Sequence, residues 1–123
     1  MDKQKIEKFD ELEISYSDDK EMLNFTKAVW LTSRANYFGK NKMFVEAIAD
    51  LEEAISLKND YLPAYLSMAT VYSFKEGVNF DDGIQIIEKA PSETRLNGNI
   101  ITTKKEIMDE FKKTIEEFKQ TMN

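Results

Sequence analysis

The chain contains neither histidine nor cysteine. That removes the commonest general base, the thiolate nucleophile and the usual zinc and copper ligands together. Carboxylates, hydroxyls, amides and amines remain. Paired carboxylates stand at Glu52-Glu53 and Glu116-Glu117. They fall on exposed helix faces and are adjacent rather than cross-facing, so they do not form an acid–base pair of the glycosidase kind. The segment Asn79-Phe80-Asp81-Asp82-Gly83 has a passing likeness to a calcium loop. With Gly83 as the turn glycine, however, the first ligand position is Val78 and the bidentate one Lys89, so the register fails and Asp81 or Asp82 reads as a helix cap. The 4 glycines, at positions 39, 77, 83 and 98, make no phosphate-cradling loop. No catalytic residue, metal or other cofactor is expected, and the phenylalanines and tyrosines at helical spacing are read as core.

Charge narrows the partners. A formal net charge of −6 argues against nucleic acid, which calls for a basic face. Lys104-Lys105 and Lys112-Lys113 are interleaved with Glu106, Asp109, Glu110, Glu116 and Glu117, the pattern of a solvated helix face. Most of the imbalance lies in residues 1–21, which hold 8 acids against 4 lysines; they begin with an acidic segment at 1–17 whose opening residues do not read as a secretory signal. No run of apolar residues is long enough to span a bilayer. Absence of cysteine leaves the redox compartment undecided, and cytoplasm is the default expectation. A length of 123 residues with 41% apolar content implies one domain, 1–123, with a real core.

The elements that position any site come from an internal repeat. Leu31, Ala35 and Phe38 recur 34 positions later as Tyr65, Ala69 and Tyr72. Phe44, Ala47, Ile48, Leu51 and Ala54 recur 36 positions later as Phe80, Gly83, Ile84, Ile87 and Ala90. The difference places a two-residue insertion in the second turn, near 75–79. Small residues at Ala35/Ala69 and Ala47/Gly83 suit helices that cross closely.

Helix boundaries follow from caps and periodicity. A short helix over 3–13 is expected to bury Ile6, Phe9 and Ile14 over Trp30 and Phe25. Asp18, with Glu21 three places on, has the form of a capping box for a helix over 19–38, ended by Gly39 in a left-handed conformation. Asn41 caps a helix over 42–57 that buries Phe44, Ala47, Ile48, Leu51, Ala54 and Ile55. Pro63 opens a third helix, which stops near Lys75. A fourth covers 80–90, before Pro91. Residues 92–99 read as a loop. Thr102 or Thr103 then caps a last helix to about Gln120, with Ile107, Phe111, Ile115 and Phe118 as one narrow stripe.

A 34-residue helix–turn–helix of this pattern resembles the tetratricopeptide repeat. Ala35, Phe38, Ala47, Leu51 and Ala54 match its small, aromatic, alanine, large apolar and alanine positions, and Phe44-Val45-Glu46-Ala47-Ile48 looks like its entry into the second helix. Arg34 departs from it where an apolar residue is usual, Trp30 is one place early, and Asn59 replaces the closing proline. The resemblance implies an all-α fold of antiparallel helix-turn-helix repeats in a superhelix, with repeats at 28–61 and 62–96 and a capping helix at 102–120.

It also implies a function. The first helices of the repeats line a concave groove, whose positions fall here on Val29, Thr32, Ser33, Asn36 and Lys40, then Pro63, Leu66, Ser67, Thr70, Ser73 and Phe74. Such a groove holds a peptide or protein segment without catalysis, as an adaptor or scaffold does. The hydroxyl-lined strip around Asn36 suits a neutral or mildly acidic peptide with one apolar side chain. In relatives that clamp an acidic chaperone tail, lysines and asparagines hold the carboxylates. Here Asn36 matches one asparagine, but Thr32 stands where the first lysine belongs and Ser67 where the second asparagine belongs, so that ligand is not expected. The alternative of another class is self-association as a homodimer, through the repeat face or the last helix.

Overall fold

The computed structural model describes residues 2–122. Their order is α1 (Lys3–Ser15), α2 (Lys20–Lys40), α3 (Phe44–Leu57), α4 (Leu62–Phe74), α5 (Phe80–Glu88), β1 (Glu93–Leu96), β2 (Asn99–Thr103) and α6 (Lys104–Thr121). The chain is mostly helical, as expected. No helix among the described residues is long and apolar enough to cross a membrane.

Two apolar clusters form the core, and α4 belongs to both. Ala64 and Val71 join Tyr61 and the α2–α3 pair, where Ala28, Leu31, Ala35, Ala47, Leu51 and Ala54 are closed to solvent. Leu62 and Ala69 join Ile87 of α5 and Ile107, Phe111 and Ile115 of α6. This is why the α4 sequence, LPAYLSMATVYSF, is apolar nearly all round: a helix covered on two sides needs no polar face. Small residues allow the close crossings. A β-carbon on Gly83 would come within 2.8 Å of the Ala69 carbonyl and 2.5 Å of Ser73 Oγ, so α5 reaches α4 this closely only with glycine there.

Several helix ends differ from expectation. The α2 cap is Asp19, whose carboxylate accepts from Met22 N–H at 3.0 Å, in place of Asp18. Gly39 lies inside α2. The left-handed residue is Lys42, at φ 59°, with Lys42 N–H to Gly39 O at 3.0 Å and Met43 N–H to Phe38 O at 2.9 Å. Those paired bonds satisfy the last carbonyls of α2 in the Schellman manner without glycine. Asn41 does not cap α3; its amide donates to Tyr37 O instead. α5 is capped by Asn79, leaving Asp81 and Asp82 in the first turn, where their charge suits the positive helix end. Thr103 caps α6, its hydroxyl accepting from Glu106 N–H at 3.3 Å, but the Glu106 carboxylate accepts from that same hydroxyl at 3.2 Å in place of the Thr103 N–H that a full box would use.

α1 covers Trp30 as expected, with Phe9 edge-on to the indole at 5.6 Å. It buries Leu12, while Ile6 and Ile14, both expected to be covered, are 39% and 80% exposed. Ion pairs Lys5–Glu53 and Lys27–Glu13 fasten it to the body.

The expected loop at 92–99 is a hairpin. β1 and β2 pair antiparallel across Asn97-Gly98, with Leu96 opposite Asn99. Both turn residues have positive φ, 52° and 82°, the backbone that matches the twist of a tight hairpin and that Asn-Gly adopts readily. Thr94 anchors the hairpin. Its hydroxyl accepts from Leu62 N–H at 2.9 Å and donates to Asp60 O at 2.6 Å.

Candidate binding groove

Side chains about one helical turn apart on α2 and α4 face each other across an open groove. It comprises two adjoining clefts. The larger, about 660 Å³, is lined by Asn36 and Lys40 of α2, Phe44 of α3, Ser67, Thr70, Val71 and Phe74 of α4, and Lys42, Gly77 and Val78 from the flanking turns. The smaller, about 420 Å³, is lined by Thr32, Ser33, Asn36, Tyr61, Pro63, Leu66 and Ser67, with α6 closing one side through Thr102, Glu106, Ile107 and Glu110. Asn36 and Ser67 border both. The α2 positions 32, 33, 36 and 40 meet the α4 positions 63, 66, 67, 70 and 74 in the same order, so the two helices run side by side in one direction.

The lining changes along this axis. Phe44, Val71, Phe74 and Val78 make an apolar floor near the ends of α2 and α4. Phe74 is held there edge-on by Phe80 at 5.6 Å and Phe118 at 5.3 Å. The other half is lined with hydroxyls. Burial pushes the Tyr61 phenol up from its ordinary pKa, so it stays a neutral hydroxyl at physiological pH. Asn36 is exposed, and its amide bonds to no described residue. Thr70 is satisfied by the Leu66 carbonyl at 3.1 Å. Thr32 is 5% exposed, with its hydroxyl sealed from solvent and unpartnered among the described residues.

Of the residues expected in the groove, Thr32, Ser33, Asn36, Lys40, Pro63, Leu66, Ser67, Thr70 and Phe74 come together. Two do not line it. Val29 packs against the first core cluster. Ser73 is wholly buried, donating to Ala69 O at 2.7 Å beneath α5; six residues on from Ser67, it lies on the side of α4 that faces α5.

Sequence reasoning missed Lys42, Phe44, Tyr61, Val71, Gly77 and Val78 and the whole α6 wall. The two-residue lengthening at 75–79 was the one available signal, because that turn carries Gly77 and Val78 out to edge the larger cleft. The α6 contribution had none, since helix spacing does not say which neighbour's edge a solvated residue overhangs. Compared with known proteins, the chain matches no family model, no curated sequence and no solved structure.

Proposed function

We propose that the chain is a non-catalytic interaction module that holds an extended peptide of a partner protein between α2 and α4. In this reading α2–α3 and α4–α5 are two stacked repeats of tetratricopeptide type, and α6 is the closing helix. One observation carries the proposal: polar side chains from helices 34 residues apart in sequence converge, with an aromatic floor, on an open cleft of about 660 Å³. Ligand sites are concave, mostly apolar and furnished with a few placed polar groups. The buried small residues Ala35, Ala47, Ala54, Ala69 and Gly83 support the repeat reading, because they sit where close-packed repeats need them. The terminal helix offers little to a second copy, because Ile107, Phe111 and Ile115 are already buried within the chain.

Asn36 is the residue to test. Asparagine is a poor helix former, and this one bonds its amide to no described residue. An amide can donate to and accept from an extended backbone at once. The intact chain is used to select binders from a random peptide library, and the strongest is measured against Asn36→Ala. Loss of one or two neutral hydrogen bonds predicts binding weaker by about threefold to tenfold. Folded stability should be unchanged or slightly higher, by about 0.5 kcal/mol, from helix propensity. Undiminished affinity would remove the groove as the binding site.

A further inference from the structure

The groove carries opposite charges at its two ends. Lys40 and Lys42 edge the larger cleft where α2 and α4 finish, and both are exposed. Glu106 and Glu110 edge the smaller cleft where α4 begins, and they are exposed too. None of the four is ion-paired with a described residue. Glu106 takes only the Thr103 hydroxyl of its own helix cap. By contrast, the part-buried charges Lys27, Arg34, Asp50 and Lys58 all have partners. Four unpaired charges, sorted by sign along one axis, set a field that an occupant must match.

The span fixes the spacing. From Pro63 to Phe74, α4 advances about 16 Å at 1.5 Å per residue, a distance an extended chain covers in about five residues. Beside the lysines lies the apolar floor of Phe44, Val71, Phe74 and Val78. Beside the glutamates lie hydroxyls and no comparable apolar surface.

We propose, resting on the groove reading above, that the groove selects its peptide by charge order. The preferred segment places an acidic residue beside a large apolar side chain at the lysine end, and a lysine or arginine about five residues away at the glutamate end. A uniformly acidic segment meets repulsion from Glu106 and Glu110, and a uniformly basic one meets it from Lys40 and Lys42. Like-charge contact of this kind discriminates more than the matched contact attracts. This differs from capture of an acidic tail, because one of the two charges recognised is positive.

The test uses pools of acetylated, amidated peptides of about six residues, with the middle positions random and the ends fixed. One pool is Lys first and Phe-Glu last, and a second is Glu-Phe first and Lys last. Controls replace both charges by Lys, by Glu or by Gln. Each pool is titrated into the isotope-labelled chain and followed by NMR at near-physiological salt. The expected result is that one mixed-charge order shifts groove resonances and binds at least about fivefold tighter than the neutral pool, with both like-charged pools weaker still. Lys40→Gln with Lys42→Asn should abolish the preference for Glu, and Glu110→Gln should abolish the preference for Lys. Asparagine is chosen at 42 because it tolerates the left-handed backbone there. If the neutral pool binds in the groove as tightly as the mixed ones, charge order is wrong and the groove reading stands. If no pool moves groove resonances, both fall.

Discussion

Arg34 occupies a place where the repeat pattern it departs from has an apolar side chain, and its surroundings explain the exchange. Its Nε and one Nη each lie 2.7 Å from a different oxygen of Asp50, a two-pronged contact. Asp50 is only 4% exposed. Asp2, the α1 cap, pairs with the same guanidinium, which also lies 4.9 Å from the Trp30 ring centre and 5.3 Å from that of Phe38. A planar cation that stacks on aromatics and forks onto a carboxylate can fill an apolar position; lysine cannot do both. Replacing Arg34 by Leu alone strands Asp50 without a cation and should lower stability by about 3–5 kcal/mol. Replacing both, as Arg34→Leu with Asp50→Leu, should recover most of that loss, since a well-packed apolar pair often equals a buried ion pair. Urea unfolding of the three variants checks this. A single variant as stable as the parent would mean that the pair contributes nothing. Arg34 was visible in the sequence as a departure, but its partner was not, because nothing local links positions 34 and 50.

At the scale of elements, the helices were legible because each is announced by its own residues: Pro63 in a first turn, a Thr103–Glu106 box, alanines at close-crossing positions. The hairpin was announced as well, by Asn97-Gly98, which is a strong local signal for a tight turn. Pro91, Asn97 and Gly98 are equally the marks of a loop, and an isolated two-stranded hairpin is marginal in water. What holds it comes from more than thirty positions away. Thr94, fully buried, bridges Leu62 N–H and the Asp60 carbonyl, and Arg95 N–H donates to the Asp60 carboxylate at 3.0 Å. Thr94→Val keeps the shape, removes both bonds and should cost about 1–3 kcal/mol. Asp60 adds a pH dependence. Partial burial works to raise its pKa, but the Lys58 ammonium at 2.7 Å and the Arg95 N–H outweigh it and hold the carboxyl below its ordinary value. A depressed folded pKa stabilises above the unfolded value, near 3.9, and that contribution is lost as pH falls through the folded one. Unfolding midpoints should therefore drop as pH falls below about 4 and on through the depressed folded value, and Asp60→Asn should flatten that drop. An unchanged slope in Asp60→Asn would show that the hairpin does not depend on this carboxylate.

At the scale of the molecule, the question is whether the two core clusters stand or fall together. α4 supplies Ala64 and Val71 to one and Leu62 and Ala69 to the other, so neither can lose its packing without exposing the helix that the other needs. α6 is the outermost contributor, and Ile107, Phe111 and Ile115 are its buried stripe. Burying such side chains is worth roughly 1.5–3 kcal/mol each. Three of them approach the whole net stability of a small domain, about 5–15 kcal/mol. A chain ending at Thr103 should therefore lose more than its last helix. The faces of α4 and α5 around Leu62, Ala69 and Ile87 become exposed, α4 loosens, and the first cluster loosens with it. Trp30, the only tryptophan, packs on that first cluster, so its fluorescence reports damage that starts in the second cluster. The shortened chain should show a red-shifted Trp30, reduced helicity and aggregation. In the full chain, unfolding followed by Trp30 fluorescence and by far-ultraviolet circular dichroism should coincide in one transition. If Trp30 in the shortened chain keeps its native emission, or the two probes part in the full chain, the clusters are independent and α4 does not couple them.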